Sequence, residues 1–224
     1  MAIFAMSDLH LPLGIDKPME VFGAGWENYV ERISENWKQT VTEKDTVLIG
    51  GDVSWATYLE EARADFQFID ALPGQKIIGK GNHDYWWTTA AKLRAFREEN
   101  GFSTITFLHN DSVLCEGYAI CGCRGWRSPF ENDFSGEDRK IYEREMIRLE
   151  LSLTAGAKMS ENRIVMMHYP PDVGFAELLE AYKVKICVYG HLHGRAAWDK
   201  FTQSERDRLV SADYLKFTPR RIVD

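Results

Sequence analysis

Five short apolar runs in this chain each stop abruptly at a small polar cluster. Residues 3–6 lead into Asp8-Leu9-His10, and residues 47–49 into Gly51-Asp52. Residues 76–78 lead into Gly81-Asn82-His83-Asp84, residues 164–167 into His168, and residues 184–189 into Gly190-His191-Leu192-His193. Apolar runs of this length, punctuated by glycine, read as buried strands. Between them lie segments with helical spacing: Val30, Ile33, Trp37 and Val41; Leu59, Ala62, Phe66 and Ile69; Tyr142, Met146, Leu149 and Leu153. Strands alternating with helices form an α/β architecture. In that class the ligand crevice lies beyond the carboxyl ends of the strands, so clusters remote in sequence can converge on one site.

The remaining chain is less regular. Helices are expected near residues 59–71 and 88–99. Residues 104–108, 112–115 and 118–123, joined at Asn110-Asp111 and Glu116-Gly117, read as an antiparallel meander. Residues 208–222 read as one or two further strands. Residues 11–25, with Pro12, Gly14, Pro18, Gly23 and Gly25, and residues 124–138 read as loops, either a rim over the site or inert surface. With 224 residues and no linker or repeat, a single domain spanning 1–224 is expected.

A net charge of −7 opposes a phosphate backbone, so nucleic acid is not an expected partner. A small anionic substrate remains compatible, because bound cations reverse the local sign. Cys115, Cys121, Cys123 and Cys187 match no paired zinc spacing and read as reduced, buried strand residues. That fits a reducing cytoplasm. The start of the chain lacks a basic segment followed by an apolar one, and no stretch approaches the ~18 apolar residues of a bilayer span, so no membrane association is expected. Oligomeric state has no signature here.

Histidine and carboxylate together suit divalent manganese, iron or zinc. Seven candidate ligands, Asp8, His10, Asp52, Asn82, His168, His191 and His193, exceed the three protein groups of a typical catalytic zinc. They suit two ions roughly 3.5–4 Å apart. Asp52 is the natural bridge, having two oxygens and a negative charge, and Asn82 offers a neutral oxygen. Of the chain's six histidines, only His109 lies outside these clusters.

The order D-x-H, G-D, G-N-H-D, H, G-H-x-H, covering residues 8–193, closely resembles the calcineurin-like metallophosphoesterases. The resemblance implies a four-layer α/β/β/α sandwich with two central mixed sheets and a dinuclear metal site at the strand ends. It implies Asp8, His10 and His193 on the first metal, Asn82, His168 and His191 on the second, and Asp52 between them. His83 would contact the phosphoryl group and protonate the leaving oxygen. The expected activity is phosphoester hydrolysis by a metal-activated hydroxide, as a phosphatase or a phosphodiesterase. The alternative is a metal-binding interaction scaffold of the same fold. Some family phosphatases carry an aspartate three residues after the bridging one; here that residue is Trp55. Asp84 is then the orienter of His83, or else a local cap or an acceptor that supports one of the ligands.

Weaker signals surround these motifs. Trp55, Trp86, Trp87 and Trp126 either form an aromatic wall or pack the sheet edges. Lys80, Arg124, Arg127 and Arg195 are surface charges by default, although one or two could hold a phosphate.

Overall fold

The computed structural model describes residues 1–17, 19, 23–199 and 204–224; Pro18, one of the expected loop residues, lies outside them. The order begins β1 (Ile3–Ala5), α1 (Tyr29–Thr40), β2 (Thr46–Ile49), α2 (Arg63–Asp70), β3 (Gln75–Ile78), α3 (Ala90–Glu99), β4 (Ile105–Phe107). A hairpin follows, β5 (Ser112–Cys115) and β6 (Tyr118–Cys123), then α4 (Gly136–Ala157), β7 (Arg163–Met167), α5 (Val173–Ala181) and β8 (Ile186–Tyr189). The chain closes with α6 (Arg195–Trp198), β9 (Asp207–Leu209) and β10 (Arg220–Val223).

Two five-stranded sheets result, ordered β10-β1-β2-β3-β4 and β5-β6-β7-β8-β9. Both are mixed: β10 runs antiparallel to β1 and β5 antiparallel to β6, while the remaining neighbours are parallel.

The period of two along each strand builds the layers. Phe4 faces one core with Val47, Ile49 and the helical residues Ile33, Trp37, Phe66 and Leu93. Ile3, Ala5 and Leu48 face the opposite way and meet Ile120, Ile164, Met166 and Val188 of the second sheet. The other face of that sheet, with Cys121, Val165, Met167 and Cys187, packs on Leu149, Leu153, Phe175 and Leu179. The order is helices, sheet, sheet, helices, as expected.

Two expectations change. Residues 105–107 do not join a meander: β4 pairs parallel with β3. Leu93, Phe96, Phe102 and Ile105 share one core, so α3 acts as the crossover of a β-α-β unit. The turn at Asn110-Asp111 therefore carries the chain from one sheet to the other, and only β5–β6 is a hairpin. The second helix starts at Arg63, because the Glu61 carboxylate accepts the Thr57 and Tyr58 amides at 3.0 and 3.1 Å and holds residues 57–61 in turns. All four cysteines are free thiols on strands. Cys121 and Cys187 are buried, whereas Cys115 and Cys123 are only partly so. Among the described residues no helix is long and apolar enough to cross a membrane.

Candidate metal centre

Every expected ligand lies just past the carboxyl end of a strand. After β1 the chain continues beside β2: the Asp8 amide donates to the Gly51 carbonyl and the His10 amide to the Asp52 carbonyl, at 3.0 and 2.9 Å. Asp8, His10, Asp52 and His191 all adopt left-handed backbone conformations, with φ of 60°, 46°, 51° and 70°. Such angles are costly for non-glycine residues and concentrate where surrounding structure imposes them.

The glycines of the motifs have a steric reason. A Cβ on Gly81 would strike the Asp52 carboxylate, and one on Gly190 would strike that of Asp8. A Cβ on Gly51, at φ +100°, would strike the Gly81 backbone. The strand ends approach so closely that only glycine fits between them.

Two sets of donor atoms converge. In the first, His10 Nε2 lies 3.2 Å from His193 Nε2, and His193 Nε2 lies 3.5 Å from an Asp8 oxygen. In the second, the Asn82 side-chain oxygen is 2.6 Å from His168 Nε2 and 2.9 Å from His191 Nδ1. The Asp52 Oδ2 oxygen faces both, 3.8 Å from His10 Nε2 and 3.5 Å from His168 Nε2. Asp8, His10 and His193 form one compact ligand group, and Asp8, Asp52 and His168 another.

The electrostatics call for cations. Asp8 and Asp52 are buried, and among the described residues neither pairs with lysine or arginine. Burial, reinforced by the Asp8 charge, pushes the Asp52 carboxyl up to about 8. Burial holds His10, His168 and His191 below their ordinary range, His191 at about 3 with His168 contributing, so all three are neutral and able to ligate. Burial also opposes charge on His193, but hydrogen bonds that the imidazolium donates to Asp213 and Asp8 outweigh it and raise the imidazole to about 10. Without a metal, the His193 proton is the positive charge between these carboxylates. His10 Nδ1 is buried with no hydrogen-bond partner. Buried charges must be paired or coordinate metal, and this donor set fits divalent ions.

The sequence profile of the calcineurin-like phosphoesterases matches residues 1–195. The chain belongs to that family. No curated protein sequence matches it. Among solved structures, it is similar to the phosphopantetheinyl hydrolase of Mycobacterium tuberculosis, with a TM-score of 0.57 at 14% identity over 99% of this chain and 95% of that one. It is also similar to AQ665 of Aquifex aeolicus, a protein of unknown function, at 0.53 and 16% over 98% and 95%. TT1561 of Thermus thermophilus follows at 0.51 and 13% over 86% and 82%. At these identities the likeness is one of fold.

Two carboxylates outside the ligand set support it. Asp84, the first, does not orient His83. Its carboxylate accepts the amides of Asp52, Val53 and Gly81 at 2.8, 2.9 and 2.7 Å, and the Trp86 indole at 3.1 Å. Burial and the Asp52 charge push it up to about 7, against four donors that favour the ionised form. Asp84 is thus the cap that ties the Asp52 turn to the Asn82 turn.

Asp213, the second, was not legible in the sequence. It lies in the tail with no motif around it, yet its Oδ1 is 3.0 Å from His193 Nδ1. This directs Nε2 toward the centre. The His83 amide donates to Asp52 Oδ1 at 2.8 Å. Its ring bonds none of the described side chains and is held by the Trp55 indole, 4.8 Å away. Burial, with His168 and Lys17, keeps His83 below its ordinary range.

The four tryptophans divide. Trp86 packs on Phe66 in the core, and Trp87 on Phe107 and His109. Trp126 lies 5.2 Å from Tyr169, which lies 4.1 Å from His191, so part of the 124–138 loop flanks the centre. Trp55 and Trp26, with Trp198 and Phe217, line a cavity of about 590 Å³ beside His10, His83 and His193. From the 11–25 loop, Lys17 and Met19 close over Trp55. The cations divide too. Arg195 is exposed beside Asp199, and Arg127 is tied to Glu131 and Asp133 at the surface. Lys80 and Arg124 line a separate cavity.

Proposed function

We propose that this chain is a hydrolase of small phosphoesters acting with two divalent transition-metal ions, manganese, iron or zinc. The observation that carries the reading is the position of Asp52 Oδ2 within 4 Å of imidazole nitrogens from both ligand sets. In this reading Asp8, His10 and His193 would hold one ion, Asn82, His168 and His191 the other, and Asp52 would serve both. When bound, such ions would supply Lewis acidity and would lower the pKa of a water toward neutrality. The inter-sheet core supports treating residues 1–224 as one unit.

The chain's own residues do the rest. Asp84 and Asp213 hold ligand orientations, so little reorganisation is needed when substrate binds. His83, half-buried against Trp55, donates a proton to the departing ester oxygen. The negative charge of a phosphoryl group next to the ring counters its depressed proton affinity. The cavity beside His83 accommodates an apolar or planar leaving group on Trp26 and Trp55.

The test is His83→Ala, assayed on an alkyl phosphoester and a nitrophenyl phosphoester with metal content measured in parallel. Metal content should hold and kcat should fall by roughly 10²–10⁴-fold on the alkyl ester. The nitrophenyl ester, whose leaving group needs no proton, should lose far less. Equal slowing would reduce His83 to an electrostatic contact, and lost metal would make it a ligand. No turnover of any phosphoester by metal-loaded protein would favour the scaffold alternative.

A further inference from the structure

A second cavity, of about 360 Å³, lies along the same edge of the sandwich. The metal centre takes its residues from the ends of β1, β2, β3, β7 and β8. This cavity takes Gly79 and Lys80 from the end of β3, His109 and Asn110 from beyond β4, and Cys123 and Arg124 from the end of β6. It is therefore the next compartment along the row. The two share walls: Lys80 is two residues, at most roughly 7 Å of chain, from Asn82. The Arg124 carbonyl accepts the amide of His168 at 3.0 Å.

Its charge contrasts with the rest of the protein. Lys80, Arg124 and Arg148 line it, with Glu145 as the only carboxylate among the lining residues. Glu145 is buried and shared by both guanidiniums, 3.3 Å from Arg124 and 2.5 Å from Arg148. Three cations against one anion leave two positive charges, in a chain whose net charge is −7. Lys80 has no carboxylate partner among the described residues, and Arg124 Nε is buried without any acceptor. Thr88 and Thr89, which caps α3, place the positive end of that ten-residue helix at the wall, with no acidic residue in its first turn. Trp87, Leu108 and Met166 supply an apolar side.

We propose that this cavity is a binding site for a small phosphate monoester, separate from the metal centre and independent of metal. Two positive charges match the nearly two negative charges of a phosphate monoester at neutral pH better than the single charge of a carboxylate. Guanidinium groups match its oxygens geometrically. The apolar wall takes the organic part.

Calorimetry on chelator-treated protein tests this with inorganic phosphate, pentyl phosphate and pentanol as probes. Saturable binding of pentyl phosphate, tighter than inorganic phosphate, and none of pentanol is expected. Lys80→Gln and Arg148→Gln should each weaken it at least tenfold, and Lys80→Arg should retain it. Arg148 is 42% exposed on α4, and Arg124 still pairs with the buried Glu145 in its absence, so circular dichroism and a thermal melt of each variant accompany the titrations to check that the fold is kept. Absence of binding, or affinity unchanged in both glutamine variants, overturns the site. Binding of inorganic phosphate but not of the ester overturns the monoester assignment. None of these readings depends on turnover, so failure of the proposed hydrolysis is distinguishable from failure of this site.

Discussion

The Trp55 indole stacks on the His10 imidazole, ring centroids 4.6 Å apart and planes within 23°. The same indole approaches His83 at 4.8 Å, so one side chain contacts both a candidate ligand and the candidate acid. At the position three residues after Asp52, this chain presents an aromatic surface to both rings.

Trp55→Ala should therefore lower metal affinity chiefly at the site built by His10, by roughly 10–100-fold, the usual worth of an orienting partner. Trp55→Phe, which keeps a stacking face, should retain most of it. Titration with manganese, following each binding step, measures the difference. An equal loss at both sites would show a general packing defect instead.

Asp213→Asn is expected to act through His193. The folded protein raises that imidazole from 6.5 to about 10. A raised pKa contributes stability that is complete below the unfolded value and disappears as pH climbs through the folded one. In metal-free protein the drop in Tm caused by Asp213→Asn should thus be largest at and below about pH 6.5 and shrink as the pH rises toward 10. Thermal melts of both proteins across that range decide it; a constant difference would mean that Asp213 only packs.

Removing Asp84 leaves the amides of Asp52, Val53 and Gly81 buried without acceptors. At about 1–3 kcal/mol for each orphaned donor, Asp84→Ala should cost roughly 3 kcal/mol or more. For a chain of this size that lowers Tm by about 6–12 °C. The loss of activity should be equal on alkyl and nitrophenyl esters, since Asp84 does not touch His83. Selective loss on the alkyl ester would restore it as the orienter.

Asp52→Ala should lower occupancy at both metal sites and abolish turnover, whereas His10→Ala should mainly weaken one. Elemental analysis after loading with manganese reads both. Two ions and near-normal turnover in Asp52→Ala would refute the bridge.

Much of the centre was legible because its signals are local. A strand-end glycine followed by aspartate, asparagine or histidine is a short motif, and the collisions waiting at Gly81 and Gly190 explain why no other residue serves there. The continuously buried runs at residues 3–5 and 163–167 are likewise unbroken apolar stretches set between helical segments, so the α/β class could be read directly, while the four layers were what the family resemblance implied.

What needed the tertiary structure depends on contacts between distant segments. Residues 105–107 have strand character in either sheet; only packing with Leu93, Phe96 and Phe102 assigns them beside β3. Asp84 is adjacent to His83 in sequence, yet three backbone amides claim its carboxylate from another direction. Asp213 is 20 positions beyond His193 and carries no motif, but the tail returns it to Nδ1. The charge of the second cavity has the same origin: Lys80, Arg124 and Arg148 look like ordinary surface cations along the chain, and they become one electrostatic feature only where β3, β6 and α4 meet. Periodicity and ligand type act over a few residues and are written in sequence, whereas partner choice is set by which strand ends the fold brings together.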